Sequence, residues 1–185
     1  MKKLVIFFSL LNFNYAHAQS CIGDCQNGEG RYEYVTGAVY MGTWKNGKRS
    51  GYGETTSSNG EQYKGNYEND YRNGYGEYTF PSGEKYLGNW KKSLRSGYGS
   101  LIYQNGVTRY DGNFENGKIN GFGKKTYYDG SVYEGNWLET KYHGEGKYIF
   151  KNGDQYDGGF EKDLFHGYGV FTFSHGDKYE GQFKE

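Results

Sequence analysis

Two cysteines and a pair of histidines are the side chains best suited to chemistry, and their spacing limits what they do. Cys21 and Cys25 stand as Cys-x3-Cys. No third Cys or His lies between Gln19 and Arg31, so the stretch lacks the ligand set of a structural zinc site. The compartment decides the cysteine chemistry. Met1–Lys3 give a short basic start, Leu4–Phe13 an apolar run, and Ala16-His17-Ala18 small residues where a signal peptidase reads. The run is too short to span a bilayer permanently. Residues 1–18 are therefore expected to be a secretory signal peptide, with a buried N-terminal strand as the other reading. The Met-Lys-Lys start looks bacterial, which places the product in the periplasm or outside the cell. In that oxidising setting an even cysteine pair reads as a disulfide, Cys21 to Cys25. Ala18-Gln19-Ser20-Cys21 also faintly resembles a lipoprotein box, so lipidation of Cys21 stands as the alternative.

His143 and His166 hold equivalent places before Gly144 and Gly167 and have no third ligand in view, so no metal is expected. There is no Gly-x-Ser-x-Gly, Walker A or His-Glu-x-x-His segment, and the many Gly-x-Gly pairs lack the third glycine of a dinucleotide loop. The chain reads as a non-enzyme without a cofactor. Lys+Arg and Asp+Glu balance at 22 each, which argues against nucleic acid and weakens adhesion to anionic lipid.

The elements that carry these residues are written in the composition. Of 185 residues 32 are Gly, 22 Tyr, 12 Phe and 3 Trp, with a single Pro. That aromatic content excludes disorder, and glycine at such density opposes helix. Tyr recurs at Tyr40, Tyr63, Tyr86, Tyr110, Tyr133, Tyr156 and Tyr179, with a step of 23 except for 24 before Tyr110. Gly follows each Tyr by two places, and a large aromatic by four. A Gly-x-Gly comes seven places after each of the first six of those aromatics. Within a unit the alternation is of period two, as in Tyr86-Leu87-Gly88-Asn89-Trp90, which is β-structure. Asn59-Gly60, Asn105-Gly106, Asp129-Gly130 and Asn152-Gly153 read as hairpin turns. The extra residue of the long step falls after Gly106, in a turn, where it disturbs pairing least. The hairpins are expected at 28–44, 51–67, 74–90, 97–114, 121–137, 144–160 and 167–183, joined by six-residue linkers. Glycine is needed where a neighbouring aromatic lies flat on backbone.

The pattern Tyr-x-Gly-x-Trp-x-x-Gly-x-x-x-Gly-x-Gly, whole from Tyr40 to Gly53, closely resembles the MORN repeat (membrane occupation and recognition nexus). The resemblance implies an all-β, elongated, twisted single antiparallel sheet of about seven stacked hairpins over residues 28–185; the two cysteines mark residues 19–27 as a separate N-terminal cap. It also implies a non-enzymatic scaffold that dimerises, binds a peptide in an aromatic groove or meets lipid. The mid-unit glycine is kept at Gly47 and Gly117 but replaced by Asp70, Ser93, Thr140 and Asp163.

Two rows of side chains are candidate binding surfaces. Tyr63, Tyr67, Tyr86, Trp90, Tyr110, Phe114, Tyr133 and Trp137 share one parity and must serve first as core, with a partner groove as a further role. Thr55 and Ser57 replace aromatics in that parity, and Lys125 brings a charge, so these three are expected to set specificity. The opposite parity carries a ladder of Tyr52, Tyr75, Tyr98, Phe122 and Tyr168, broken by Glu145. It suits sugar rings or an extended peptide, or else stiffens the sheet by cross-strand packing. Lys48/Arg49 and Lys91/Lys92/Arg95 are read as solvated linker charges, with anion or lipid contact as the other reading. The chain is thus expected to bind a protein or peptide partner, with carbohydrate or lipid as alternatives. Its terminal strands, Gly28–Tyr34 and Tyr179–Phe183, are expected to be unpaired edges open to homodimerisation.

Overall fold

Period-two alternation becomes one continuous sheet in the computed structural model, which describes residues 20–184. Its strands are β1 (Ser20–Gly23), β2 (Glu29–Glu33), β3 (Val39–Lys45), β4 (Lys48–Thr56), β5 (Gln62–Glu68), β6 (Tyr71–Thr79), β7 (Lys85–Lys91) and β8 (Leu94–Ile102). They continue as β9 (Arg109–Glu115), β10 (Lys118–Thr126), β11 (Val132–Leu138), β12 (Lys141–Ile149), β13 (Gln155–Glu161), β14 (Leu164–Thr172) and β15 (Lys178–Phe183). All 15 pair antiparallel in sequence order, and no helix occurs among the described residues. The expected signal peptide, residues 1–18, lies outside the described residues.

Two kinds of turn alternate. At one margin a five-residue loop closes through a hydrogen bond such as Ser57 N to Glu61 O, with positive φ at Gly60. The extra residue sits in the fourth of these loops, where Tyr103 N reaches on to Thr108 O. At the other margin the expected six-residue linkers prove to be two-residue turns, because strand pairing runs through them. Both turn residues have positive φ, as at Asn46 (52°) and Gly47 (69°), or Glu139 (49°) and Thr140 (74°). That is the type I′ geometry whose twist suits flanking strands.

A second correction concerns the first edge. Gly28–Tyr34 is not unpaired, since β1 adds to β2 in the register Cys21↔Tyr32 and Gly23↔Gly30. The Cys21–Cys25 disulfide ties this extra strand to the following loop.

One glycine per strand lies in register across the whole sheet, from Gly23 and Gly30 to Gly169 and Gly181. Each repeated tyrosine lies flat on this glycine track: a Cβ at Gly53 or Gly123 would collide with the ring of Tyr40 or Tyr110. Its hydroxyl then donates to a backbone carbonyl three residues on, Tyr40 to Thr43 O at 2.9 Å and Tyr133 to Asn136 O at 2.7 Å. The two glycines of Gly-x-Gly therefore have separate reasons. The second receives a ring. The first adopts positive φ, 71° at Gly51 and 80° at Gly74, in a bulge where three residues of one strand face one of the other.

Candidate functional site

The repeated tyrosines and the large aromatics four places after them form one layer on the glycine side. Tyr63, Tyr67, Tyr86, Trp90, Tyr110, Phe114, Tyr133 and Trp137 are buried, together with Tyr40, Trp44, Tyr156 and Phe160. They meet edge to face in an unbroken zigzag, for example Tyr63–Trp90 at 5.6 Å, Tyr86–Trp90 at 5.1 Å and Tyr86–Phe114 at 5.0 Å. Such geometry sets the positive edge of one ring against the face of the next. Burial pushes the hydroxyls of Tyr86 and Tyr127 up to about 12 and those of Tyr63, Tyr110 and Tyr133 higher still. These side chains form the core, and what a partner could touch is what lies on and between them.

What lies on them is a row that the sequence reading missed. Arg49, Arg72, Arg95, Ile119, Tyr142 and Phe165 each stand opposite the large aromatic of the preceding strand, as in the register Trp44↔Arg49 and Trp137↔Tyr142. Arg49 sits 5.8 Å from the Tyr40 ring and 4.9 Å from Tyr67. Arg72 sits 4.7 Å from Tyr78 and 4.3 Å from Trp90. Further along, Tyr142 stacks on Tyr133 and Phe165 on Tyr156, both at 3.8 Å. The row roofs the repeated tyrosines, with cations over the first three units and apolar groups over the last three. Arg49 and Arg95 are thus not solvated linker charges; burial holds the Arg95 guanidinium below its ordinary pKa. One signal was available, since a large residue recurs two places before each Gly-x-Gly.

The three polar exceptions on this face have separate settings. Lys125 lies over two rings, 4.9 Å from Tyr103 and 4.7 Å from Tyr127, and burial lowers its pKa. Thr55 and Ser57 leave a notch. The Thr55 hydroxyl meets that of Tyr67 at 2.5 Å. Around them opens a hollow of about 250 Å³, lined also by Arg49, Glu61, Asp70 and Arg72. A larger hollow of about 730 Å³ adjoins it and shares Arg49 and Asp70. The disulfide loop walls it, and Tyr32, Tyr34 and Trp44 line it.

On the opposite face Tyr52, Tyr75, Tyr98, Phe122 and Tyr168 are 55–62% exposed. Among the described residues none of them joins a ring pair, and the Tyr168 hydroxyl donates to Glu180 Oε1 on the neighbouring strand β15 at 2.6 Å. Charged cross-strand pairs flank them, such as Lys64–Glu54 at 3.2 Å. Where Glu145 breaks the ladder there is a hollow of about 490 Å³ beside Phe122. His143 and His166 are exposed, and among the described residues no group of three metal-ligating side chains gathers.

A family model described as MORN repeat matches six consecutive segments, residues 40–62, 63–85, 86–108, 110–132, 133–155 and 156–178. No curated protein matches the sequence. Among solved structures the chain is similar to the TCP domain of SAS-4 (dCPAP) of Drosophila melanogaster, solved in complex with a proline-rich motif of Ana2 (dSTIL). That likeness has 12% identity, covers 99% of each chain and gives a TM-score of 0.53, a resemblance of fold. The wild-type TCP10 domain of Danio rerio CPAP matches at 13% identity over 84% of this chain and 79% of its own, with a TM-score of 0.28.

Proposed function

The chain belongs to the MORN-repeat family, and from that premise we propose that it holds an extended segment of a partner protein against its aromatic face. MORN repeats are generally non-catalytic scaffolds that bind protein partners. The observation that carries the reading is the pair of adjoining hollows, about 730 and 250 Å³, that meet at Arg49 and Asp70. They open on the ring layer beside Arg49, where Tyr32, Tyr34, Trp44, Tyr63 and Tyr67 line them, and the rings there offer contact area beside polar groups that fix orientation.

The form of the partner follows from spacing. Two strands advance the ribbon by about 9.6 Å. A polyproline II helix advances about 9.3 Å per three residues. Such a segment, laid along the ribbon, presents the same side once per hairpin. The TCP domain of SAS-4, a similar fold, was solved in complex with a proline-rich motif. The Cys21–Cys25 disulfide is compatible with an extracytoplasmic protein, and with residues 1–18 as its signal the protein acts in the periplasm or outside the cell.

The test is a titration of the isotope-labelled chain with a proline-rich peptide of about nine residues, three per hairpin. Saturable amide shifts at Tyr32, Trp44, Arg49 and Thr55 support the reading. No saturable shift, or shifts confined to the ladder face, contradict it. A second reading, carbohydrate binding, draws on the exposed rings of Tyr52, Tyr75 and Tyr98.

A further inference from the structure

We propose that the notch at Thr55 and Ser57 is a socket for one aromatic side chain of the partner segment; this rests on the peptide-binding reading. The repeats supply the template. The places equivalent to Thr55 and Ser57 hold Tyr32/Tyr34, Tyr78/Phe80, Leu101/Tyr103, Lys125/Tyr127, Tyr148/Phe150 and Phe171/Phe173, at least one aromatic in each pair. Only the second hairpin has none. In the third, Tyr78 and Phe80 pack edge to face at 4.6 Å, and Arg72 has three rings around it: Tyr63, Tyr78 and Trp90. Arg49 occupies the same place one repeat earlier and has two, Tyr40 and Tyr67. The third ring is missing where Thr55 stands.

The hollow left behind is about 250 Å³, below the roughly 300–1,000 Å³ of sites for drug-sized ligands, so it suits one side chain rather than a cofactor. Its charged lining, Arg49 and Arg72 against Glu61 and Asp70, balances and therefore favours neither a free anion nor a cation. An incoming ring completes the Arg49 cage as Tyr78 completes that of Arg72. It also covers Tyr63 and Tyr67, which line the floor.

The test uses the full chain with N-acetyl-tyrosinamide and N-acetyl-leucinamide as probes, read at the backbone amide resonance of Glu61, which lines the hollow and is present in every variant. The tyrosine amide is expected to shift it saturably. The leucine amide is expected to bind about fivefold more weakly, the fold-change a cation–π contact supplies. Thr55→Tyr with Ser57→Phe fills the socket and should abolish the response while raising Tm. Arg49→Gln keeps the socket open and should weaken the tyrosine amide alone, so the inference stays testable if the filled variant misfolds. Equal binding of both amides, or undiminished binding to the filled variant, overturns it. A proline-rich peptide that still binds the filled variant removes the socket and leaves the scaffold reading standing. A peptide that binds neither form removes the scaffold reading itself.

Discussion

Asp70 accepts from Arg49 three times across two strands: at Oδ1 from the Arg49 backbone N (3.0 Å) and Nε (3.3 Å), and at its carbonyl from Nη2 (2.8 Å). Its own N–H returns a bond to Arg49 O at 3.1 Å. The pattern recurs where Ser93 Oγ accepts from Arg72 N and Asp163 Oδ1 from Tyr142 N. Successive two-residue turns are thus tied to one another along the sheet margin, which accounts for Asp and Ser where the repeat otherwise has glycine. Asp70→Ala is expected to cost about 1–2 kcal/mol by stranding a half-buried donor. Lys118→Ala breaks the exposed Lys118–Glu139 pair, 57% and 70% exposed, and should cost under about 0.5 kcal/mol. Urea unfolding of both variants decides; equal losses would mean that the turn ladder carries no special weight.

Thr140 has φ 74° without such a bond from its side chain among the described residues. Thr140→Gly removes the left-handed strain of a β-branched residue and should stabilise by about 0.5–1 kcal/mol after glycine's entropy cost. Asp163→Gly relieves a similar φ of 75° but gives up the 2.8 Å bond from Tyr142 N, so its gain should be smaller. The difference in urea midpoint between the two reads this directly.

Gly123→Ala sets a methyl group against the buried Tyr110 ring with no backbone strain involved. The ring has no room to yield, because Phe114 and Trp137 both pack on it at 5.3 Å. A loss of about 2–3 kcal/mol is expected from overpacking. A Tm unchanged from the parent would mean that the ring does not lie on the glycine track.

High pH should unfold the ribbon. The Tyr86 and Tyr127 hydroxyls have pKa values raised by burial to about 12, above the unfolded value of about 10. The fold therefore favours the protonated phenol, so stability is full below about pH 10 and is lost as pH climbs from there through about 12. Thermal melts across that range should fall together with the rise of phenolate absorbance. A Tm that stays flat to pH 12 would contradict the burial of these hydroxyls.

Tyr75→Ala combined with Tyr98→Ala removes exposed rings that touch no other ring among the described residues. Each should change stability by no more than about 0.5 kcal/mol. Loss of polysaccharide retention in this variant would favour the second functional reading; unchanged retention, or none in the parent, would count against it.

The fold was legible because each repeat writes its own constraints twice, once as alternation and once as glycine spacing. Tyr86, Gly88 and Trp90 predict a strand, its buried side and the neighbour's glycine together. The two-residue turns carry the Asn-Gly signature of type I′ geometry at Asn46-Gly47 and Asn116-Gly117, but Lys92-Ser93 and Glu139-Thr140 lack it, so the turn was not legible as a feature of every repeat; tertiary pairing imposes the geometry there. The roof of Arg49, Arg72 and Arg95 was hidden for a related reason. Charge suggested solvent, whereas a guanidinium covers rings with its stem and its face. β1 was not foreseen because four exposed residues carry no alternation to read. The notch at Thr55 and Ser57 was visible as a departure, but its meaning needed the neighbouring Arg72 cage beside it.

The central claim, that a protein partner lies on the aromatic face, is tested most directly by placing a photocrosslinking side chain at Glu61, on the notch rim, and separately at Tyr98, on the ladder. Both proteins are then irradiated in the cells that make them, and the adducts are identified by mass spectrometry. The account predicts one recurrent protein adduct from Glu61 and none from Tyr98. Adducts from Tyr98 alone, or only lipid or glycan adducts from Glu61, would contradict it.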